Sequence, residues 1–291
     1  MGVKHAGNDN NMKKIISGKV RDVYEIEGNK LVIVTTDRIS AYDVVLSKPV
    51  SGKGKVLNAV SLFWFDYTKN IVPNHVISGD LSALPEFFQT DEFEGRAVLV
   101  KKLKMLPFEF IVRGFIFGNM WDAYIKKTPF CGHLIEGDYK LAQKLRAPII
   151  TPSTKAQEGH DIYISTDDVA ETLGRELTEK INAVCLKLYE ACYKYAYEKG
   201  IIIADTKFEF GLDENGALTL ADEVFTPDSS RFWNLADYKE GESPKSYDKQ
   251  FVRDYLTQNK VNGEMPFDNV PDGILAKTSD IYAECLRRIT S

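Results

Sequence analysis

The segment from Ile201 to Asp222 constrains the fold more than any other part of the chain. It opens on the apolar run Ile201–Ala204, which is typical of a buried strand. Charged and apolar residues then alternate through Phe208–Leu212, which predicts a second strand with two chemically different faces. The turn sequence Asp213–Gly216 leads into the apolar segment Ala217–Asp222, so we expect a β-hairpin here.

The register of this hairpin decides which side chains share a face. A four-residue turn sets Glu209 opposite Leu220 and Lys207 opposite Asp222, so Lys207, Glu209 and Asp222 project to one side. Two carboxylates and one ammonium suit a site for Mg²⁺ and a nucleotide. The alternative is a solvated face with cross-strand ion pairs. We favour the site, because phenylalanines occupy the alternate positions and can pack into the core.

Length and element order predict an α+β fold in two lobes. The chain has 291 residues, of which 44% are hydrophobic and 27% charged, an ordinary globular balance. Sheet-rich and helix-rich stretches are partly segregated along the chain, which is typical of this class. We expect a disordered leader over residues 1–11, an N-terminal antiparallel-sheet lobe over 12–105, and a larger lobe of sheet and helices over 106–291.

Several local patterns give individual elements. Val20–Ile26 and Leu31–Thr35 read as strands joined by a turn, and apolar spacing predicts a helix from Leu57. Residues 128–160 contain many Pro and Gly and are predicted to be mostly loop. Ser165–Asp168 resembles a capping box that opens a helix.

Composition narrows the functional class. The net charge of −5 argues against binding a polyanion such as nucleic acid along the whole chain. No apolar run reaches membrane-spanning length, and the N-terminus lacks the apolar stretch of a secretory signal. The four cysteines form no CxxC pair, which favours structural thiols in a reducing compartment. We therefore expect a cytoplasmic protein without a membrane or nucleic-acid partner.

Five further segments place cations, hydroxyls or glycine where a phosphate or carboxylate could bind. Each also has an ordinary explanation, namely a solvated loop, a capped turn or a surface salt bridge. The segments are Gly18–Arg21, Thr36–Asp43, Ile111–Gly114, Thr151–Lys155 with Gly159–Asp161, and Thr226–Trp233.

Taken together and in this order, these segments resemble the SAICAR synthetase family. The resemblance rests on Gly18–Tyr24, Thr36–Asp43, Thr151–Ala156, Ile202–Gly211, Asp222–Val224, Thr226–Trp233 and Ser246–Phe251. It implies ligation of L-aspartate to the carboxylate of carboxyaminoimidazole ribonucleotide in purine biosynthesis, with ATP converted to ADP and phosphate. It also implies an N-terminal lobe whose hairpin covers ATP, and a requirement for Mg²⁺.

The resemblance carries roles over to individual residues. Those implied for ATP and its phosphates are Gly18, Lys19, Val20, Arg21, Lys102, Leu103, Glu109, Lys207, Glu209 and Asp222, with Glu209 and Asp222 on the metal. Those implied for the ribonucleotide and the acceptor are Asp37, Ser40, Asp43, Arg113, Asn119, Lys155, His160, Asp161, Asp205, Ser230 and Arg231. Catalysis would depend on Lys207, Asp205, Arg113 and Arg231. Two departures are an Asn at 119, where the family often has a small hydroxyl residue, and a shorter, more apolar loop at 159–163.

Two other functions compete with this interpretation. A small-molecule kinase with the same ATP lobe predicts a phosphorylated product without aspartate. A nucleic-acid-binding module using Lys101–Lys104 predicts salt-sensitive binding without ATP turnover. The oligomeric state is left open by the sequence.

Overall fold

The computed structural model describes residues 12–42, 44–155, 161–247, 249–260 and 263–291. The expected leader over residues 1–11 lies outside the described residues, as do the predicted site residues Asp43 and His160. The fold is a combination of helices and antiparallel sheets, so the predicted α+β class is confirmed.

The first sheet has five antiparallel strands in the order β1-β2-β3-β7-β6. Their bounds are β1 Lys13–Ser17, β2 Arg21–Ile26, β3 Lys30–Thr35, β6 Val76–Ser78 and β7 Ala97–Lys101. The predicted strands at 20–26 and 31–35 are confirmed as β2 and β3. A separate short pair joins β4 Ser40–Ala41 to β5 Val44–Val45.

The second sheet carries most of the predicted site. Its strands are β8 Lys104–Phe115, β9 Lys144–Thr154, β10 Ile201–Leu212, β11 Leu218–Ala221 and β12 Ser230–Asn234. Their order is β11-β10-β8-β9, and β12 pairs with the first half of β10. β11 and β12 therefore lie one after the other along the same edge of β10, opposite β8.

Six helices pack on this framework within the described residues. They are α1 Lys53–Thr68, α2 Asn119–Ile125, α3 Thr166–Leu173, α4 Arg175–Glu198, α5 Gln250–Gln258 and α6 Asp272–Thr290. The predicted capping box is confirmed, because Ser165 and Asp168 exchange hydrogen bonds at the start of α3. No helix in the described part of the chain is long and apolar enough to cross a membrane.

The alternating pattern of β8 and β10 divides the second sheet into an apolar and a polar face. Phe108 and Phe110 of β8 and Phe208 and Phe210 of β10 are buried in the main core. They pack there with the apolar stripe of α4, which includes the predicted buried cysteines at 185 and 192. The opposite face is left to the charged residues.

One prediction in this part of the fold is incomplete and one is wrong. Most of the described residues within 128–160 are irregular, as predicted, but they also include the long strand β9. Its prolines are tolerated because β9 lies at the edge of the sheet. The hairpin register is also shifted by one residue, with Glu209 opposite Ala221. Asp213 accepts hydrogen bonds from the amides of Asn215 and Ala217, which extends the turn to five residues.

The second sheet and α1 share one hydrophobic core, whereas β3 and β7 of the first sheet bury their residues in two clusters of their own. Val60, Trp64 and Phe65 of α1 join the cluster that contains the apolar face of β8 and β10. A second cluster joins α5 and α6 to Ile39, Ala41, Leu46 and Val50. A boundary at residue 105 would separate the two sheets, but it would also separate α1 from the core in which α1 packs. The proposed domain boundary stays a prediction.

Candidate active site

The polar face of the second sheet is organised by strand pairing. On β10, Asp205, Lys207 and Glu209 lie on one face, and β8 sets Arg113 opposite Asp205 and Glu109 opposite Glu209. Opposed residues on neighbouring strands share a face. Five of the predicted residues therefore come together for two reasons. Side chains alternate between the faces of β8 and β10, and the pairing of these two strands aligns the residues that share a face.

Lys207 lies between two glutamates. Its ammonium is 2.5 Å from Glu109 and 3.2 Å from Glu209, and Glu209 also pairs with Lys155. Burial raises the pKa of Glu109, with Lys207 acting against it. Burial acts in the same direction on Glu209, but Lys207 and Lys155 outweigh it and lower its pKa. Burial by itself would lower the pKa of Lys207, yet the two glutamates hold it well above its usual value, so this lysine stays charged.

Asp205 holds two arginines in place. Arg113 lies 3.3 Å from its carboxylate, and Arg231 pairs with the same oxygen from β12. Arg113 also donates from Nε to Thr151, 2.9 Å away. Two guanidinium groups share one carboxylate, so this corner keeps a net positive charge suited to a phosphate or a carboxylate.

The segment before β12 forms a tight hydroxyl-rich turn. Thr226 Oγ1 accepts from the amides of Asp228 and Ser229, each at 3.2 Å, and donates to Glu223. Ser230 donates to Thr206 on β10 at 2.8 Å. The capped turn that the sequence left open as an alternative is therefore present, and it brings Ser229 and Ser230 to the edge of the polar face.

These groups line a cavity of about 280 Å³. Seven of the predicted site residues line it, namely Glu109, Arg113, Asp161, Asp205, Lys207, Ser230 and Arg231. They come from three strands and one loop that are far apart in the sequence. The concentration of charge in one concave site is typical of a binding pocket for charged small molecules.

The cavity also contains residues that the sequence did not single out, among them Ser153, Tyr163, Asp228, Lys249 and Arg253. Ser153, Asp228 and Lys249 lie inside motifs named above, and this was the sequence signal available for them. Arg253 lies on α5, four residues after Lys249 and hence on the same helical side. Neither Lys249 nor Arg253 forms an ion pair with another described residue, so both cations remain available for a ligand.

The predicted glycine turn lies at the end of the first sheet. The Gly18 amide donates to the Arg21 carbonyl at 2.8 Å, and a Cβ at Gly18 would lie 3.1 Å from that oxygen. Arg21 pairs with Glu223, which immediately follows Asp222, and so links this turn to the second sheet. Lys19 and Val20 complete the turn, and Lys19 is exposed.

The remaining predicted residues lie outside the cavity lining. Lys102 pairs with Glu25, and Leu103 packs against Gly211 where the chain passes from β7 to β8. Asn119 donates to the Tyr163 hydroxyl at 3.3 Å. Ser40 is buried in β4.

Asp37 has a structural role in the fold. Its carboxylate accepts from the amides of Gly52 and Gly54, at 3.1 and 2.8 Å, at the start of α1. The Asp37 side chain therefore fits the alternative of a capped turn. Its predicted contact with substrate stays a prediction.

Asp222 does not pair with Lys207 across the hairpin, so strand pairing does not form the predicted face of Lys207, Glu209 and Asp222. β11 ends at Ala221, and Asp222 has a left-handed backbone with φ of 58°. Asp222 lines a small cavity with Arg21 and His75, and its charge helps raise the pKa of Lys207. Among the described residues, no three His, Cys, Asp or Glu side chains cluster as a metal site. A metal here would need phosphate oxygens among its ligands.

Comparison with known proteins gives the family. The profile of SAICAR synthetase matches residues 14–268. The chain belongs to the SAICAR synthetase family. It is 49% identical over 282 residues to the phosphoribosylaminoimidazole-succinocarboxamide synthase of Maridesulfovibrio salexigens, covering 96% of this chain and 94% of that protein. The predicted class, an ATP-dependent carbon–nitrogen ligase, is thereby confirmed.

Solved structures agree with the family. The SAICAR synthase from Saccharomyces cerevisiae, described as complexed with SAICAR, has a TM-score of 0.88 at 43% identity, covering 98% of this chain and 96% of that one. A SAICAR synthetase described as in complex with ADP has a TM-score of 0.69 at 25% identity, covering 94% of this chain and 97% of that one. The predicted fold class is shared with both.

Proposed function

We propose that this chain joins the amine of L-aspartate to the carboxylate of carboxyaminoimidazole ribonucleotide, with ATP converted to ADP and phosphate. One observation carries the proposal: in a member of this family, a single cavity places two arginines on Asp205 beside a lysine held between two glutamates. The SAICAR and ADP complexes described for related structures support it.

The reaction requires activation of a carboxylate, which by itself is a poor electrophile toward amines. A carboxylate oxygen would attack the γ-phosphorus of ATP, and the bond to ADP would break. The aspartate amine would then attack the acyl carbon, lose a proton and expel phosphate, which takes one former carboxylate oxygen with it. Lys207 would hold the transferring phosphoryl group and offset its charge, and the fixed strands would supply the alignment.

The ATP side would be formed by both sheets. The turn Gly18–Arg21 would cover the phosphates, Lys102 and Leu103 would meet the base, and Glu109 would lie near the ribose. The pairing of Arg21 with Glu223 supports this arrangement, because it ties the covering turn to the segment that follows β11.

Glu209 and Asp222 would hold Mg²⁺ together with the ATP phosphates, and the metal would neutralise phosphate charge during transfer. The fit rests on the buried carboxylate of Glu209, which pairs with Lys207, and on the partly buried Asp222, whose charge acts on the same lysine. We expect Glu209→Gln and Asp222→Asn each to raise the Mg²⁺ concentration needed for half-maximal rate by about tenfold or more. Titration of the rate with Mg²⁺ measures this, and an unchanged requirement in Asp222→Asn would remove that residue from the metal site.

The acceptor side would divide its cations between two substrates. Arg113, Arg231 and Ser230 would hold the ribonucleotide phosphate, since their geometry is fixed by Asp205 and Thr206. Lys249 and Arg253 would bind the carboxylates of aspartate, because they are the cavity cations without an ion pair among the described residues.

A coupled assay of ADP release tests the reaction. Release should require the ribonucleotide and L-aspartate together, and omission of either should abolish it. Equal release without aspartate would favour the kinase alternative. Ribonucleotide labelled with oxygen-18 in its carboxylate should transfer one labelled oxygen to phosphate. Unlabelled phosphate would contradict attack by that carboxylate.

The free cysteines, three of them buried, support a reducing compartment and hence the cytoplasm.

A further inference from the structure

Lys53 is a fully buried charged residue that the proposed reaction does not use. It is the first residue of α1, its side chain is 0% exposed, and its ammonium lies 2.7 Å from Asp228. Taking a lysine out of water costs several kcal/mol unless it is well paired. An apolar residue of similar size would avoid this cost, so the charge needs an explanation beyond packing.

The partner of Lys53 belongs to the wall of the cavity. Asp228 lines it between Pro227 and Ser229, in the turn that leads to Arg231. One carboxylate oxygen is held by Lys53 of α1, and the other accepts from the Tyr282 hydroxyl of α6 at 2.6 Å. Two helices on the far side of the turn therefore fix this carboxylate from behind.

The first turn of α1 is itself held firmly. Asp37 accepts from the amides on both sides of Lys53, at Gly52 and Gly54. Gly54 lies so close to the end of β3 that an added Cβ would be 2.5 Å from the Thr35 carbonyl oxygen. Lys53 is thus attached to the segment that begins the Thr36–Asp43 motif.

We propose that Lys53 is a positioning residue that neutralises Asp228 and holds the turn 226–231 in its substrate-binding geometry. A bare carboxylate in the cavity wall would repel a phosphorylated carboxylate substrate. Lys53 offsets that charge from behind, so the cations in front of it remain available to the ligand. The proposal rests on the proposed function for the nature of the substrate, but it concerns residues outside the direct contacts assigned above.

Two variants separate neutralisation from simple packing. Lys53→Met nearly keeps the length of the side chain and removes the ion pair to Asp228, which then keeps only the Tyr282 hydroxyl and the charge of Lys249. The double variant Lys53→Met with Asp228→Asn removes both charges at nearly constant shape. We expect the single variant to raise the dissociation constant for carboxyaminoimidazole ribonucleotide by about 10- to 100-fold, and the double variant to return it to within about fivefold of the wild type.

Binding is measured by isothermal titration calorimetry with the ribonucleotide, with ATP titrated in parallel and thermal unfolding recorded for each protein. The ATP dissociation constant should change less than about threefold in both variants. If Lys53→Met fails to fold, Tyr282→Phe is the second probe; it should weaken the ribonucleotide about three- to tenfold, because Asp228 loses one hydrogen bond.

The outcomes are distinct. Unchanged ribonucleotide affinity in folded Lys53→Met, or in Tyr282→Phe where that probe is needed, would overturn the proposal. A double variant as weak as the single variant would do the same, since loss of packing and not charge would then explain the effect. Wild-type protein that fails to bind the ribonucleotide would contradict the proposed function instead.

Discussion

Asp205 provides a sharp test of how the cavity is built. We expect Asp205→Asn to leave two guanidinium groups without their shared carboxylate while changing the side-chain shape very little. Arg113 and Asp205 are 4% and 8% exposed, so their pairing is shielded from solvent. Arg231 is 26% exposed, so water and ions would compensate part of the ion pair that it loses in this variant.

The size of the effect follows from this burial. Removing one partner of a buried ion pair typically costs about 3–5 kcal/mol, and we expect the lower end because the amide still accepts one hydrogen bond. For a chain of this size each kcal/mol lowers Tm by about 2–4 °C, so Tm should fall by roughly 6–12 °C.

Thermal unfolding followed by circular dichroism measures this change. Asp237→Asn is the matched control, because Asp237 pairs at 3.5 Å with Lys245 and the two side chains are 43% and 80% exposed. That control should stay within about 1–2 °C of the wild type. A similarly small shift for Asp205→Asn would refute the view that this carboxylate holds the two arginines together.

Three further predictions concern stability and binding. Burial lowers the pKa of His75 from 6.5 to about 4, so its neutral form stabilises the fold above pH 6.5, and this stability is lost as pH falls toward 4. Between pH 6.5 and pH 4, the free energy of unfolding of the nucleotide-free wild type should fall by about 3 kcal/mol more than that of His75→Asn, as measured by chemical denaturation. Equal losses in both proteins would contradict this prediction. Gly54→Ala should destabilise the fold by about 1–3 kcal/mol, because the added Cβ would meet backbone atoms. Gly273 is also the second residue of its helix but has open space around it, so Gly273→Ala should stabilise the fold by about 0.5–1 kcal/mol. Equal urea midpoints for the two variants would count against the close approach at Gly54. Arg231→Ala should weaken ribonucleotide binding by about 1.5–3 kcal/mol, roughly 10- to 150-fold by calorimetry, and an unchanged constant would exclude it from the site.

The sequence determined the chemistry of each strand. Alternation in β10 separated Lys207 and Glu209 from the phenylalanines that pack into the core, because successive side chains of a strand point to opposite faces. The capping box at Ser165 was equally readable, since its hydrogen bonds join residues three apart. The motifs also identified the family, because long matches of mixed chemistry are specific.

Register and strand order needed the tertiary structure. The observed register of the hairpin differs by one residue from the predicted one, because the Asp213 side chain extends the turn. A difference of one residue changes the face on which every later side chain lies. β9 was missed because its prolines are typical of loops, and only its position at the sheet edge makes them acceptable in a strand.

The contacts that complete the cavity are also decided by tertiary structure. Lys53 and Asp228 are 175 residues apart, and nothing in either local pattern specifies the other. Asp205 acquires its two arginines from strands that flank it on opposite sides. Periodicity records which way a side chain points relative to its own element. Which partner it meets depends on how distant elements pack, because burial and charge pairing are satisfied only in the assembled core.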